Sequence, residues 1–271
     1  MHIDLYTRCW NDAEMLEFFF RHYDRMVARY FVYDDGSTDG SQEILQAHPK
    51  VELRRMPDYS DPQSRVASNL SVLETCWTES RGTADWVIVT DIDEHLHHAD
   101  FAAYLAGCKA QGVTIVPALG FQMLTDAFPG GGQWLCETPI RGAPWPMMNK
   151  LSIFAPDEIE AVNFQPGRHM AAPTGRVVAP PCDELMLLHY RYLGFERTLA
   201  RHENYLKRQR QKDLAMGWGE QYSWSSDRLR EEWDRIVARL VDVPNCASDL
   251  KSTHPGVRWW EPFRAARSGG E

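Results

Sequence analysis

The stretch VTDIDEH, residues 89–95, sets acidic side chains directly behind a short apolar run. Carboxylates this close repel one another unless they point into water or share a cation. Because side chains alternate along a strand, Asp91 and Asp93 are expected on the same side of the chain. Mg²⁺ and Mn²⁺ prefer oxygen ligands, so the pair is a candidate metal site. The alternative is a strand that simply ends in solvent.

Alternating strands and helices are expected to position these acids. The first third of the chain contains strand patterns at 2–8, 29–35, 51–56 and 85–91, and helix patterns after Asn11, at 42–47 and at 62–80. Asn11 and Glu14 have the spacing of a capping box. This order predicts an α/β fold with a mostly parallel sheet, whose ligands lie at the carboxyl ends of the strands. Asp34, Asp35, Asp91 and Asp93 should therefore open onto one crevice.

The rest of the chain carries weaker strand signals, followed by helical ones. Further strands are expected at 114–124, 150–155 and 183–192, and helices at 195–216 and 225–241. Residues 1–194 are therefore expected to form the main domain, 195–254 a helical extension and 255–271 a fraying tail.

Composition limits the function classes. The chain has 271 residues, 44% of them hydrophobic, which is enough for a sizeable core. Six dispersed cysteines without a C-x-x-C pair argue against a zinc ribbon or a disulfide framework. A net charge of -9 argues against nucleic-acid binding. Neither a signal peptide nor a membrane-spanning run is recognisable, so a cytoplasmic protein is expected, with peripheral contact at the inner membrane face left open.

Several motifs occur in an order that resembles a known family. TRCWNDAE, DDGSTDGS, RVASN, DID and the late HYR resemble the motifs of GT-A glycosyltransferases close to family 2. The resemblance covers residues 2–98 well and extends thinly to about residue 210. It implies a nucleotide-sugar half over about 1–100 and an acceptor half over about 101–194. It also implies inversion at the anomeric carbon, and a place in polysaccharide biosynthesis by association only.

The resemblance implies a metal-bridged donor. A leaving nucleoside diphosphate accumulates negative charge, which a divalent cation stabilises. By resemblance, Asp93 holds Mn²⁺ or Mg²⁺ and Asp91 contacts the metal or the ribose. Asp34 contacts the base of the nucleotide, beside Thr7. Arg65 reaches the base or a phosphate. A UDP-sugar is the first expectation for the donor.

Three further residues are candidates on the metal and acceptor sides. In related enzymes a late histidine, here His189, supplies a third metal ligand. His169 stands where family 2 members carry the acid that deprotonates the acceptor; the departure leaves Glu137 and Asp157 as competing bases and a metal-ligand role for His169 open. Lys150 is a candidate for a phosphate or acceptor contact, or else a surface lysine.

The partners and alternatives follow from the same motifs. The expected acceptor is a saccharide or a lipid-linked saccharide, which the basic stretch 197–212 could approach if it is not simply a solvated helix face. A sugar-phosphate nucleotidyltransferase would need a glycine-rich phosphate loop, which TRCWND lacks. A non-catalytic nucleotide- or sugar-binding module and a metal-dependent hydrolase remain open.

Overall fold

The computed structural model describes residues 1–57, 60–137, 141–243 and 250–265. The strands are β1 Ile3–Cys9, β2 Arg29–Asp34, β3 Val51–Arg55, β4 Trp86–Val89, β5 Glu94–His97, β6 Ile115–Thr125, β7 Arg141–Pro144, β8 Lys150–Phe154, β9 Ile159–Ala161, β10 Thr174–Gly175, β11 Met186–Leu193 and β12 Val241–Asp242. The α-helices are α1 Ala13–Tyr23, α2 Ser41–Ala47, α3 Arg65–Leu73, α4 Phe101–Ala110, α5 Phe195–Leu206, α6 Gln211–Ala215, α7 Ser226–Val237 and α8 Leu250–Thr253.

Ten of the described strands form one sheet flanked by helices, which confirms the predicted α/β class. The order is β12-β7-β6-β8-β4-β1-β2-β3, with β11 paired to β6 and to β5. Strands β1 to β4 are parallel to one another. Strand β8 is antiparallel to both β4 and β6, so β6 runs in the same direction as β1 to β4. Pairing then gives the same direction to β11 and, through β7, to β12. Seven of these ten strands therefore run the same way.

The centre of the sheet is more buried than the alternating sequence of β1 suggests. Every residue of β1 except Arg8 is buried, and all four residues of β4 are buried. β2 and β4 pair with the two edges of β1, and the burial of residues that alternate along β1 shows that both of its faces are covered as well. The three strands run parallel to one another. The carboxyl ends of β1, β2 and β4 consequently face one side of the molecule.

Three predicted helix features differ in the structure. Asn11 does not cap α1: it has a φ of 52°, and its side-chain oxygen accepts a hydrogen bond from the Thr38 amide at 2.7 Å. The stretch 62–80 divides into α3 and a 3₁₀ turn, Cys76–Ser80. The stretch 195–216 divides into α5 and α6. At Asn11, a contact with Thr38, which is distant in sequence, replaces the predicted capping bond.

The C-terminal region packs back onto the sheet. Strand β12 extends the sheet beside β7, and the His254 ring lies 2.8 Å from the Gly120 carbonyl. Trp260 is 1% exposed and donates to Asp183 at 2.8 Å. In the tail predicted to fray from residue 255, residues of the described part, such as Trp260, therefore pack against the rest of the fold. Cys246 lies outside the described residues; the other five cysteines are free thiols.

Candidate active site

Asp91 is held between two arginines at the carboxyl ends of the central strands. Arg8, from β1, donates to Asp91 Oδ1 at 2.9 Å, and Arg168 lies 3.5 Å from Asp91 Oδ2. Burial alone would raise the pKa of Asp91, but Arg8, Arg168 and Lys150 hold it well below its usual range. The carboxylate is therefore ionised and already neutralised by guanidinium groups.

Glu94 forms a buried ionic cluster beneath Asp91. It is 1% exposed, receives the Lys150 ammonium at 2.5 Å and receives Arg168 Nη2 at 2.6 Å. The second guanidinium nitrogen of Arg168 donates to the Val89 carbonyl at 2.7 Å, which ties the loop before His169 to the end of β4. The Lys150 side chain is 3% exposed and pairs with Glu94, which contradicts the alternative of a surface lysine; contact of Lys150 with a phosphate or the acceptor stays a prediction.

Asp93 faces His189 instead of Asp91. Strand β4 ends at Val89, so Asp93 lies in a turn, and the alternation expected to align the two aspartates does not apply. Asp93 Oδ2 lies 3.6 Å from His189 Nε2, and the Asp93 carbonyl accepts the Tyr190 amide at 2.7 Å. Burial would raise the pKa of Asp93, but His189 and Arg201 lower it well below its usual value.

The tautomer of His189 follows from its other neighbour. Its Nδ1 lies 2.7 Å from Gln122 Oε1, and an amide oxygen can only accept a hydrogen bond. Nδ1 therefore carries the proton, and in the neutral ring Nε2 presents a lone pair to Asp93. Two acceptors facing each other at 3.6 Å are stabilised by a proton or a cation between them.

The predicted base contacts Asp34 and Thr7 have structural partners. Asp34 accepts from the Gly36 amide at 3.0 Å, the Ser37 amide at 3.1 Å and the Gln42 side chain at 2.7 Å. It thus organises the turn after β2, as Asp does at such positions. Thr7 is fully buried, and its hydroxyl donates to the Arg8 carbonyl at 3.3 Å. Contact of either residue with a base stays a prediction.

Asp35 and Arg65 are brought together, as the common crevice predicts. Arg65 donates to Asp35, and Arg208 approaches the same carboxylate at 2.9 Å. The Arg208 guanidinium also lies over the Trp10 ring at 3.8 Å from its centroid. These contacts contradict the reading of Arg65 as a solvated helix residue, because its side chain is 12% exposed.

The basic stretch 197–212 turns several of its arginines toward this side of the molecule. Arg201 donates to Asp12 Oδ1 at 2.9 Å, and Arg197 donates to Glu14 at 2.6 Å. Asp12 and Glu14 lie at the start of α1, directly after β1. These arginines therefore pair within the crevice, which weakens the reading of this stretch as a lipid-facing surface.

His169 lies beside the Glu94 cluster, next to Arg168. Its Nδ1 donates to the Met147 carbonyl, which leaves Nε2 with a free lone pair in the neutral ring. Burial and the neighbouring Lys150 lower the pKa of His169 to about 4. A side chain at Gly167, where φ is 72°, would clash with Nε2 of this ring at 2.4 Å.

The competing bases have different surroundings. Asp157 accepts from the Gly82 amide at 2.6 Å, and Gly82 precedes β4. Asp157 therefore lies at the amino edge of the sheet, opposite the crevice, and is excluded as the base. Glu137 is exposed in the loop that follows β6.

Sequence reasoning missed most of the basic residues around the acids. Arg8, Arg168, Arg201 and Arg208 were not singled out, and neither was Glu94. Arg8 follows Thr7 and Glu94 follows Asp93, so their positions next to candidate site residues could have identified them from the sequence. The arginines at 168, 201 and 208 reach the crevice only through the tertiary fold.

A family comparison matches the first part of the chain. The model of Glycosyltransferase family 92 matches residues 9–109, which is less than half of the chain. This match supports a glycosyltransferase; family 2 is not the family it names. No curated protein matches the chain.

Solved structures give weaker likenesses. S. aureus TarS 1-349 is 10% identical with a TM-score of 0.35, over 58% of this chain and 47% of that one. Glucosyl-3-phosphoglycerate synthase from Mycobacterium tuberculosis, in complex with Mn²⁺, UDP and phosphoglyceric acid, is 16% identical with a TM-score of 0.38, over 62% of this chain and 61% of that one. The match thus spans about half the length of the TarS chain and about three fifths of the length of the synthase chain. Such TM-scores carry no argument about function.

Across the described ranges, no helix is long and apolar enough to cross a bilayer. The described part of the chain also contains no group of three or more His, Cys, Asp or Glu side chains that could hold a metal ion. A cation here would have at most two such ligands.

Proposed function

We propose that this protein is a metal-dependent, inverting glycosyltransferase that moves a sugar from a nucleotide-sugar donor to a hydroxyl of a saccharide or lipid-linked saccharide. The observation that carries the proposal is the Asp93–His189 pair, in which Asp93 Oδ2 lies 3.6 Å from His189 Nε2. The family model over residues 9–109 supports the same reaction class. Residues 1–194 would form the catalytic domain, and 195–254 would complete it.

The pair fits Mn²⁺ or Mg²⁺. Both ions accept carboxylate oxygen, and imidazole suits Mn²⁺ in particular. Two protein ligands leave positions for diphosphate oxygens and water, as is usual for ions that act on phosphates. When bound, the cation would neutralise charge that develops on the leaving diphosphate. Gln122 would fix the ring of His189 by accepting its Nδ1–H.

Asp91 has a different role in this proposal. Because Arg8 and Arg168 already hold its carboxylate, Asp91 orders these two guanidinium groups instead of binding the cation directly. Asp35 would do the same for Arg65 and Arg208. The base of the donor would be bound near the turn that Asp34 organises.

His169 is the proposed general base. Its Nε2 would take the proton of the acceptor hydroxyl while the hydroxyl oxygen attacks the anomeric carbon and the bond from that carbon to the phosphate oxygen breaks. The nucleoside diphosphate leaves with the electron pair of that bond. The contact with the Met147 carbonyl would keep the ring in the tautomer that accepts this proton.

The test is calorimetric titration of UDP, GDP and CMP with Mn²⁺ and with EDTA. One nucleotide should bind in Mn²⁺ and lose affinity in EDTA. Asp93→Asn removes the charge, and His189→Asn keeps a donor toward Gln122 while removing Nε2. Each should lower the affinity in Mn²⁺ about tenfold or more. Asp227→Asn, an exposed site on α7, should behave as wild type.

Two results would count against the proposal. If no nucleotide binds to the wild-type protein in any condition, the glycosyltransferase assignment is wrong. If binding is equally tight in EDTA and in the Asp93→Asn variant, the metal site is wrong although the nucleotide site stands.

A further inference from the structure

Arg191 differs from the other arginines around the crevice. Those arginines each have a carboxylate partner: Arg8, Arg65, Arg168, Arg197, Arg201 and Arg208. Within the described ranges, Arg191 has no carboxylate within 4.0 Å. Its polar contact is the His202 ring, whose Nε2 lies 2.8 Å from Arg191 Nη2. The groups that directly contact this half-buried guanidinium are neutral, so it has lost water without gaining a carboxylate partner.

The surroundings of Arg191 come from the C-terminal extension. Because a guanidinium can only donate, His202 Nε2 must accept, so the imidazole is neutral. Burial and the positive charge of Arg191 lower the pKa of His202 to about 3, which keeps the ring in this form at neutral pH. Tyr222 lies beneath the guanidinium at 5.2 Å from its ring centroid and stacks on Tyr205 at 4.8 Å. His202 and Tyr222 thus contact the Arg191 guanidinium without supplying a negative charge.

Strand β11 delivers Arg191 next to the proposed metal ligands. His189 pairs with Gln122 and Tyr192 with Leu124, so Tyr190 and Arg191 together face the single residue between them on β6. Such a bulge redirects side chains and is common beside active sites. Asp93 is close enough for its charge to act on Arg191. Arg191 therefore lies two residues after His189, a proposed metal ligand, on the same strand.

We propose that Arg191 binds the terminal phosphate of the donor's nucleoside diphosphate, the phosphate that leaves with the nucleotide, and that His202 is the residue that positions it. The inference rests on the proposed function. A guanidinium presents two parallel N–H groups that match phosphate oxygens, and the missing counter-charge would be supplied by the ligand. The cation at Asp93 and His189 would lie on the neighbouring side of the same diphosphate.

The test compares UDP with UMP, because UMP lacks the terminal phosphate. Both are titrated into the full-length protein in Mn²⁺. Arg191→Ala should lower UDP affinity about tenfold or more and leave UMP affinity within about twofold of wild type. Arg191→Lys should recover part of the loss, since the charge is kept but the paired donors are not. His202→Phe, which keeps an aromatic ring but removes the acceptor, should lower UDP affinity less than Arg191→Ala.

Arg228→Ala is the matched control, because this exposed arginine pairs with Glu231 on α7. It should bind both nucleotides as wild type. If Arg191→Ala does not fold, Arg191→Lys carries the same comparison. Equal losses for UDP and UMP, or no loss for either, would overturn the assignment of Arg191 while leaving the proposed function intact. Failure of the wild-type protein to bind UDP, GDP or CMP in any condition would overturn both, and if GDP is the nucleotide that binds, GDP and GMP replace UDP and UMP in this comparison.

Discussion

At the residue scale, the two acids of the DID motif have different neighbours. Asp91 pairs with arginines, whereas Asp93 faces His189. The sequence singles out both aspartates and His189 as candidate site residues. It could not separate their roles, because the separation depends on Arg168 and Gln122, which are distant in sequence from the motif. The spacing of the two aspartates in the sequence does not show which basic side chains lie next to each of them.

His169 allows a direct test of the proposed base. His169→Asn places an amide nitrogen near the position of Nδ1, so the hydrogen bond to the Met147 carbonyl can persist while Nε2 is lost. The expected result is a fall in kcat of about 10²- to 10⁴-fold with UDP affinity unchanged. Steady-state kinetics with the identified donor, alongside UDP titration, measures both.

Met170→Ala is the control for this variant, since Met170 is exposed beside His169 and has a side chain that cannot accept a proton from the acceptor. An unchanged kcat in His169→Asn would show that another group takes the proton. Glu137 would then be the next candidate, because Asp157 lies at the opposite edge of the sheet.

At the element scale, the first four strands and the burial of the apolar β4 were predictable, but the burial of β1 was not. Short apolar runs bounded by turn residues located β1 to β4 within one or two residues. The central position of β1, with β2 and β4 on either side, is a property of strand order, which alternation does not encode. Asn11 shows the same limit, because its side chain bonds the turn after β2 instead of the helix that follows it.

The C-terminal extension adds a second cap to helix α3, whose N-cap residue Ser64 accepts from the Ala67 amide at 2.9 Å. Asp213, 2% exposed, accepts from the Arg65 amide at 3.0 Å and from the Ser64 hydroxyl at 2.5 Å. A carboxylate at a helix N-terminus is favoured by the exposed amides and by the helix dipole. The extension thus fixes the start of the helix that carries Arg65, across a separation of 148 residues.

Replacing Asp213 should therefore destabilise the whole fold and not only the extension. Asp213→Ala is expected to lower the free energy of unfolding by about 2 kcal/mol, because it leaves a buried amide and a buried hydroxyl without an acceptor. Urea denaturation measures the change. Ser225→Ala, which removes the exposed cap of α7, should cost about 1 kcal/mol or less. An equal or smaller effect at Asp213 would refute its role as the cap of α3.

At the scale of the whole molecule, a buried histidine should make stability depend on pH. His22 is 4% exposed, stacks on the His95 ring at 4.6 Å and has its Nε2 2.8 Å from the Leu96 carbonyl. Burial lowers the pKa of His22 to about 4, and the nearby charges of His97 and Arg25 act in the same direction. The folded protein therefore holds His22 neutral over a range in which the unfolded chain protonates it.

The sign of the pH effect follows from this difference. Between about pH 6.5 and 4 the unfolded chain binds more protons at His22 than the folded protein does. The free energy of unfolding is therefore highest above this window and falls as the pH is lowered through it. At pH 5, His22 should lower the free energy of unfolding by about 2 kcal/mol relative to pH 7. Urea denaturation at both pH values checks this. His22→Gln should show a smaller difference between the two, and an unchanged difference would assign the effect to other groups.

The residues that contact Arg191 matter for the design of chimeric proteins. His202 and Tyr222 belong to the segment after Gly194, so exchanging that segment between proteins would change the charge environment of the crevice while leaving every strand up to β11 in place. A chimera joined at Gly194 would inherit its nucleotide-contacting turns from one parent and the setting of its phosphate-side arginine from the other. A chimera that is to keep the surroundings of Arg191 intact should therefore place its junction after Ser223, beyond Tyr222.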